Sequence, residues 1–219
     1  MTQDWKSIEP AKIILIGHDP RLQESHTIAS FVMFADYYFR PEPKINSEKQ
    51  KFGLAKSAFV QVTYLTSGKF KPEQIYLTNL CNNALPHAPK GKMVFIPKAE
   101  AEKGIKNIKK ILKDNPTIEY IFPMSLQVNY WLQKLNFYDS MTTFVSDTEP
   151  KIKGVENDPP YFEPKKSSTF LMVCGHLYTV NDGKQTLIPI LHNKNFPIKR
   201  NFIAYQVNYN EILAYFQNI

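Results

Sequence analysis

Three polar residues stand where strands should end. Asp19 lies in the turn GHDPR after the apolar run Lys12 to Ile16 (KIILI). Asn79 closes IYLTN, and His192 follows LIPIL. In open α/β sheets, ligands bind beyond the carboxyl ends of the strands. A carboxylate at Asp19 could orient water or stabilise a developing cation; it could equally cap the helix that follows. Asn79 presents an acceptor and donors together, which suits reading the edge of an amide-like ring such as a pyrimidine; the plain alternative is a turn-forming asparagine. A donor at His192 could stabilise an anion forming on a leaving group, or His192 could be a structural residue at a strand end. Each residue alone has an ordinary explanation. Their order, and their shared placement at strand ends, carry the information.

The segment His192 to Arg200 reads HNKNFPIKR. Lys194, Lys199 and Arg200 are basic, and Phe196 and Ile198 are bulky and apolar in what is predicted to be an exposed loop. Basic residues around an apolar wedge suit phosphate contact with insertion into a base stack. A solvated loop with Phe196 tucked into the core is the competing reading. The lysines of 103–113 are more simply a solvated helix face.

Other chemistries are excluded. Two cysteines, Cys81 and Cys174, cannot supply a four-cysteine iron–sulfur or zinc site, and each reads as a small buried hydrophobe. Cys174 and His176 are two apart with no CxxC or HExxH beside them, so no metal site is predicted. GxGxxG, GxxxxGK[ST] and GxSxG are absent, which argues against dinucleotide, P-loop and common α/β-hydrolase chemistry.

The elements that must position these residues follow from hydrophobic pattern. Continuous β-branched runs at 12–16, 74–77 and 118–122 fit buried parallel strands. Phe170 to Cys174 reads as another apolar run, and Leu187 to Leu191 as the last central strand, irregular because of Pro189. Helices are predicted over 25–39, 52–65, 97–113, 125–135 and 210–216, with 44–51 a charged connection. Thr179 to Lys184 reads as a turn. Residues 139–168 carry no clear period and read as a long surface excursion covering a cleft. Strands alternating with helices predict an α/β fold with a mostly parallel sheet.

At 219 residues, with 43% apolar and 21% charged residues, the chain fits a single globular domain spanning 1–219. Lys and Arg number 27 against 20 Asp and Glu, a net charge of +7. That balance is compatible with a polyanionic partner. The polar start and the lack of any long apolar run predict no targeting segment and no membrane span. Few cysteines fit a reducing cytosol, so the expected localisation is cytoplasmic.

Taken together, these motifs resemble the uracil-DNA glycosylase superfamily. GHDPRL, Gly17 to Leu22, is similar to that family's GQDPYH. IYLTN is similar to the end of its LLLN strand motif, and the stretch from His192 is similar to its HPSP segment. The resemblance runs from residue 12 to 216, apart from the middle. It implies a three-layer α/β/α fold with a central, mostly parallel four-stranded sheet. It also implies base flipping followed by hydrolysis of an N-glycosidic bond, on DNA, by a monomer with no cofactor or metal. Asp19 would orient water and stabilise the sugar cation, and His192 would stabilise the departing base. Gly17, His18 and Asn79 would bind the base, and Phe31, or alternatively Phe34, would stack on it. Lys194, Phe196, Ile198, Lys199 and Arg200 would contact DNA. Three departures stand out. Arg21 replaces the aromatic that blocks the thymine methyl, HNKN replaces the tight HPSP turn, and Gln23–Glu24–Ser25 replaces a small, Gly-rich stretch. A different lesion, or a superfamily member that binds nucleic acid or a nucleobase without cleavage, fits those changes too. An unrelated α/β enzyme acting on nucleotide-like molecules is a third expectation.

Overall fold

The computed structural model describes residues 3–18, 31–83, 85, 93–138, 161–162, 170–198 and 200–219. A mixed five-stranded sheet forms its centre. In chain order the strands are β1 (Ile13–Gly17), β2 (Ile75–Asn79), β4 (Tyr120–Pro123), β6 (Tyr178–Val180) and β7 (Gln185–Leu187). Across the sheet they lie in the order β2-β1-β4-β7-β6, all parallel except β6. A separate pair joins β3 (Met93–Val94) to β5 (Tyr161–Phe162) in antiparallel fashion.

β1 and β2 are buried along their whole length, as are the residues of β4. A strand covered on both faces must be apolar throughout rather than alternating, and IILIG meets that condition. The helices are α1 (Ala35–Tyr38), α2 (Asn46–Leu65), α3 (Lys98–Asp114), α4 (Leu126–Lys134) and α5 (Gln206–Asn218). α2 packs with α5, and α3 with α4. The sheet thus has two helical groups, consistent with a layer on each face. On α3, Ala101, Ile105, Ile108, Ile111 and Leu112 are buried, and Lys106, Lys109, Lys110 and Lys113 lie outside the core.

Several expectations are corrected. The sheet has five strands, not four. The fifth, β6, is one arm of a hairpin whose turn, Asn181-Asp182-Gly183, has positive φ at all three residues. Phe170 to Cys174 is not a strand: its first residues form a helical turn, with Cys174 N–H donating to Phe170 O. The last parallel strand is Gln185–Leu187 rather than 187–191. Beyond it, Ile188 N–H donates to Ile121 O and Ile190 bridges Met124, with Pro189 between them having no N–H to donate. Most of the charged connection at 44–51 is the first turns of α2, since Glu, Lys and Gln are good helix formers. Within 31–39 there is only one short 3-10 segment and one turn of α-helix. The 139–168 excursion lies outside the described residues except at 161–162. No helix among the described residues is long and apolar enough to cross a membrane.

Candidate active site

Register places the polar residues along one rim. Gly17 pairs with Asn79 across β1 and β2. The pairing continues one step further, with Leu80 N–H donating to Gly17 O and Cys81 N–H to His18 O. On the other side of β1, Met124 N–H donates to Ile16 O, and Ser125 N–H donates to Ile190 O. Asn79, Gly17 with His18, Ser125 and His192 therefore stand in that order at the carboxyl ends of neighbouring strands. Asp19, the next residue after His18, and Lys199 lie outside the described residues.

Gly17 is a glycine for a steric reason. A Cβ there would overlap both Oδ1 of Asn79 and Cε of Met33. Asn79 is 4% exposed. Among the described residues, its side-chain amide makes no hydrogen bond.

Met33 is a site residue that the sequence reading missed. Phe31 was expected over the pocket, yet it packs edge-to-face on Trp5 at 5.1 Å, and its backbone bridges Gln3. Phe34 faces Tyr37. It is the methyl of Met33 that reaches Gly17. Met33 and Phe34 have φ of 52° and 54°, a left-handed pair costly for residues with a Cβ.

His18 is oriented by Gln127, which is fully buried on α4. Backbone Ile96 N–H donates to Gln127 Oε1, so Gln127 Nε2 is the atom that faces His18 Nε2, 2.6 Å away. The amide can only donate in that direction. His18 Nε2 therefore accepts, and the neutral ring carries its proton on Nδ1.

His192 is half-buried and held from both flanks. The Tyr209 hydroxyl accepts from Leu191 N–H at 3.0 Å and from Gln61 Nε2 at 2.9 Å. Gln61 Nε2 also reaches Leu191 O at 3.1 Å. On the other flank, Asn193 Nδ2 donates to Ser57 Oγ at 2.9 Å and to Leu54 O at 3.2 Å. Gln61, Tyr209 and Asn193 are each 1% exposed or less, and burial pushes the Tyr209 phenol well up. These bonds hold the backbone on both sides of His192, while Gln61 Oε1 is left buried without a hydrogen bond. The sequence hint was a glutamine in the apolar stripe of α2.

Beyond Asn193 the expected DNA-contacting residues separate. Phe196 is half-buried against Tyr64, with ring centroids 5.4 Å apart, and Ile198 packs against the core. The expectation that both stand free in an exposed loop is corrected: each finds apolar surface to cover. Arg200 is exposed, and Lys194 lies in the 3-10 turn Asn193–Asn195.

Ser125 sits between the two halves of the rim with φ 89° and ψ 156°, a region essentially reserved for glycine. Its Oγ is buried without a hydrogen bond. The turn is over-determined by Asn129, whose Nδ2 donates to Ser125 O at 2.7 Å and to Pro123 O at 3.1 Å. Among the described residues, no three His, Cys, Asp or Glu side chains come together as metal ligands. No protein-family model matches the chain, and no curated protein matches it.

Proposed function

We propose that this chain is a DNA glycosylase that hydrolyses the N-glycosidic bond of uracil or a related damaged pyrimidine after flipping it from the stack. It would do so on the three-layer fold of the uracil-DNA glycosylase superfamily, as a cytoplasmic monomer without a cofactor. One observation carries the reading: at the carboxyl end of β2, in line with His18 and His192, stands the side-chain amide of Asn79, its oxygen against Gly17. A pyrimidine edge, with adjacent acceptor and donor, would satisfy it.

In this reading Asp19 orients a water whose oxygen attacks C1′. The C1′–N1 bond breaks, and its electron pair leaves on N1 of the base. His192 donates a hydrogen bond to that anion, and the water proton passes to Asp19 or to solvent. The clamp of Gln61, Tyr209 and Asn193 keeps His192 in place as charge develops, so little reorganisation is needed at that moment. Arg200, Lys194 and Lys199 would meet phosphates.

The test is cleavage of labelled oligonucleotides carrying one uracil, single-stranded or opposite G or A. Wild type should leave alkali-sensitive breaks, and Asp19→Asn should lose about 100-fold or more in turnover while still binding DNA. Wild-type protein that binds DNA but cleaves none of these would favour the non-cleaving alternative. Lys199→Ala should weaken binding on every sequence and flatten its salt dependence.

A further inference from the structure

Outside the rim, the described residues carry one cluster that mixes rings and cations. Phe34 and Tyr37 meet edge-to-face, with centroids 6.1 Å apart. Lys51, from α2, places Nζ 5.8 Å from the Phe34 centroid and 5.6 Å from that of Tyr37. Arg40 lies over the same tyrosine, with Cζ at 4.7 Å. One turn further along α2, Lys56 stands over Phe52 at 5.8 Å. Both Phe34 and Tyr37 are half-buried, so a base that stacks here would displace Lys51 or Arg40 from a ring face toward its phosphate. Lys44 and Lys49 add exposed positive charge nearby. Against them stand Asp36, ion-paired with Arg40, and Glu42 and Glu48.

The cluster is continuous with the rim at two points. Met33, whose methyl lies on Gly17, directly precedes Phe34 in the strained left-handed pair. Leu54 and Ser57, which anchor Asn193 beside His192, lie one to two turns beyond Lys51 on the same helix. Aromatic faces with neighbouring cations are what unpaired bases and their phosphates require, because every base has a face to stack and every nucleotide a charge to neutralise.

The geometry points to Phe34, Tyr37, Arg40 and Lys51 as a stacking platform for single-stranded DNA, holding an unpaired base next to the one in the pocket. The platform rests on the glycosylase reading for its purpose, though not for its test.

The test uses the full chain and a fluorescent oligothymidylate of about 12 nucleotides, within the span one such surface covers. It contains no uracil, so binding is read by anisotropy without any excision. Tyr37→Ala should weaken binding about 5- to 100-fold, and Tyr37→Trp should restore it. Lys51→Gln should reduce the slope of log affinity against log salt by about 0.7. Glu48→Gln should tighten binding. A duplex of the same sequence should be indifferent to Tyr37→Ala. Wild-type affinity in Tyr37→Ala, or an unchanged salt slope in Lys51→Gln, overturns the platform. The lysine variant decides the matter even if the tyrosine variant fails to fold. Binding lost in the variants of a protein that excises nothing would uphold the platform and sink the glycosylase. Excision with platform variants that bind normally would do the reverse.

Discussion

Gln127 donates its side-chain N–H to Nε2 of His18 across 2.6 Å because its oxygen is already taken by Ile96 N–H. The amide thus reads one backbone group and sets one tautomer. Gln127→Glu keeps the acceptor for Ile96 but turns a donor into a second acceptor toward His18. The ring proton should then move from Nδ1 to Nε2, and imidazole nitrogen shifts in NMR would report the exchange. An unchanged His18 spectrum would mean that the amide does not govern the tautomer. Gln127→Leu should instead strand the Ile96 N–H, at a cost of about 1–3 kcal/mol in unfolding free energy.

Gly17→Ala should damage the site more than the fold. The added methyl meets Asn79 Oδ1 and Met33 Cε. Overpacking of this kind costs about 1–3 kcal/mol, and the thioether is the more mobile neighbour. Pairing it with Met33→Ala should recover much of the stability in urea titrations, while any activity dependent on Asn79 stays low. Full recovery of that activity in the double variant would show that Asn79 had never been displaced.

Ser125→Gly should stabilise the protein, against the usual direction for a glycine substitution. It relieves a backbone at φ 89° and removes a buried hydroxyl that has no partner. The expected gain is about 1 kcal/mol, seen as a higher urea midpoint. Ser125→Ala keeps the strained backbone and should gain less. A loss in the glycine variant would mean that Ser125 is bonded in solution.

Tyr209→Phe removes the acceptor shared by Leu191 N–H and Gln61 while leaving the ring. Two buried donors lose a partner, so unfolding free energy should fall by about 1–3 kcal/mol. Uracil excision, if present, should fall further than binding. Equal stability in the variant would assign the clamp no structural weight.

Cys174 is fully buried, and its burial pushes the thiol up. The folded chain should resist alkylation at pH 8 until denaturant is added, and rapid labelling of the native protein would contradict the burial. In linkage terms, stability is intact while the thiol is neutral in both states, below about pH 8.5. It then declines as pH rises, because only the unfolded chain ionises.

Much of this fold was legible because a strand buried on both faces must be largely apolar, as 13–17, 75–77 and 120–123 are. The rim followed from the strand ends, which brought Asn79, Gly17 with His18 and His192 into one line. Less legible were elements whose local pattern is ambiguous. FLMVC suits a strand or a helical turn equally well, and a short run cannot decide between them. Charged residues at 46–51 look like a loop but favour helix. The clamp on His192 was invisible because its partners are far apart in sequence: Gln61 meets Tyr209 only when α2 and α5 pack together, and Asn193 meets Leu54 and Ser57 only when its turn packs on α2. Met33 was missed for a different reason: stacking chemistry suggested an aromatic, whereas Phe31 packs on Trp5 and the thioether is the group that reaches Gly17.

The β2 edge of the sheet carries a consequence for handling the protein. Trp5 exchanges both backbone hydrogen bonds with Leu77, and Asp4 accepts from Thr78 Oγ1 at 2.8 Å and from Tyr76. Those few residues shield a five-residue, fully buried strand that would otherwise offer unpaired N–H and C=O groups. Such an edge invites strand-to-strand addition by another chain. Trimming the first half-dozen residues would therefore uncover a templating surface, and the shortened protein should be lost to aggregation before any change at the rim could be measured.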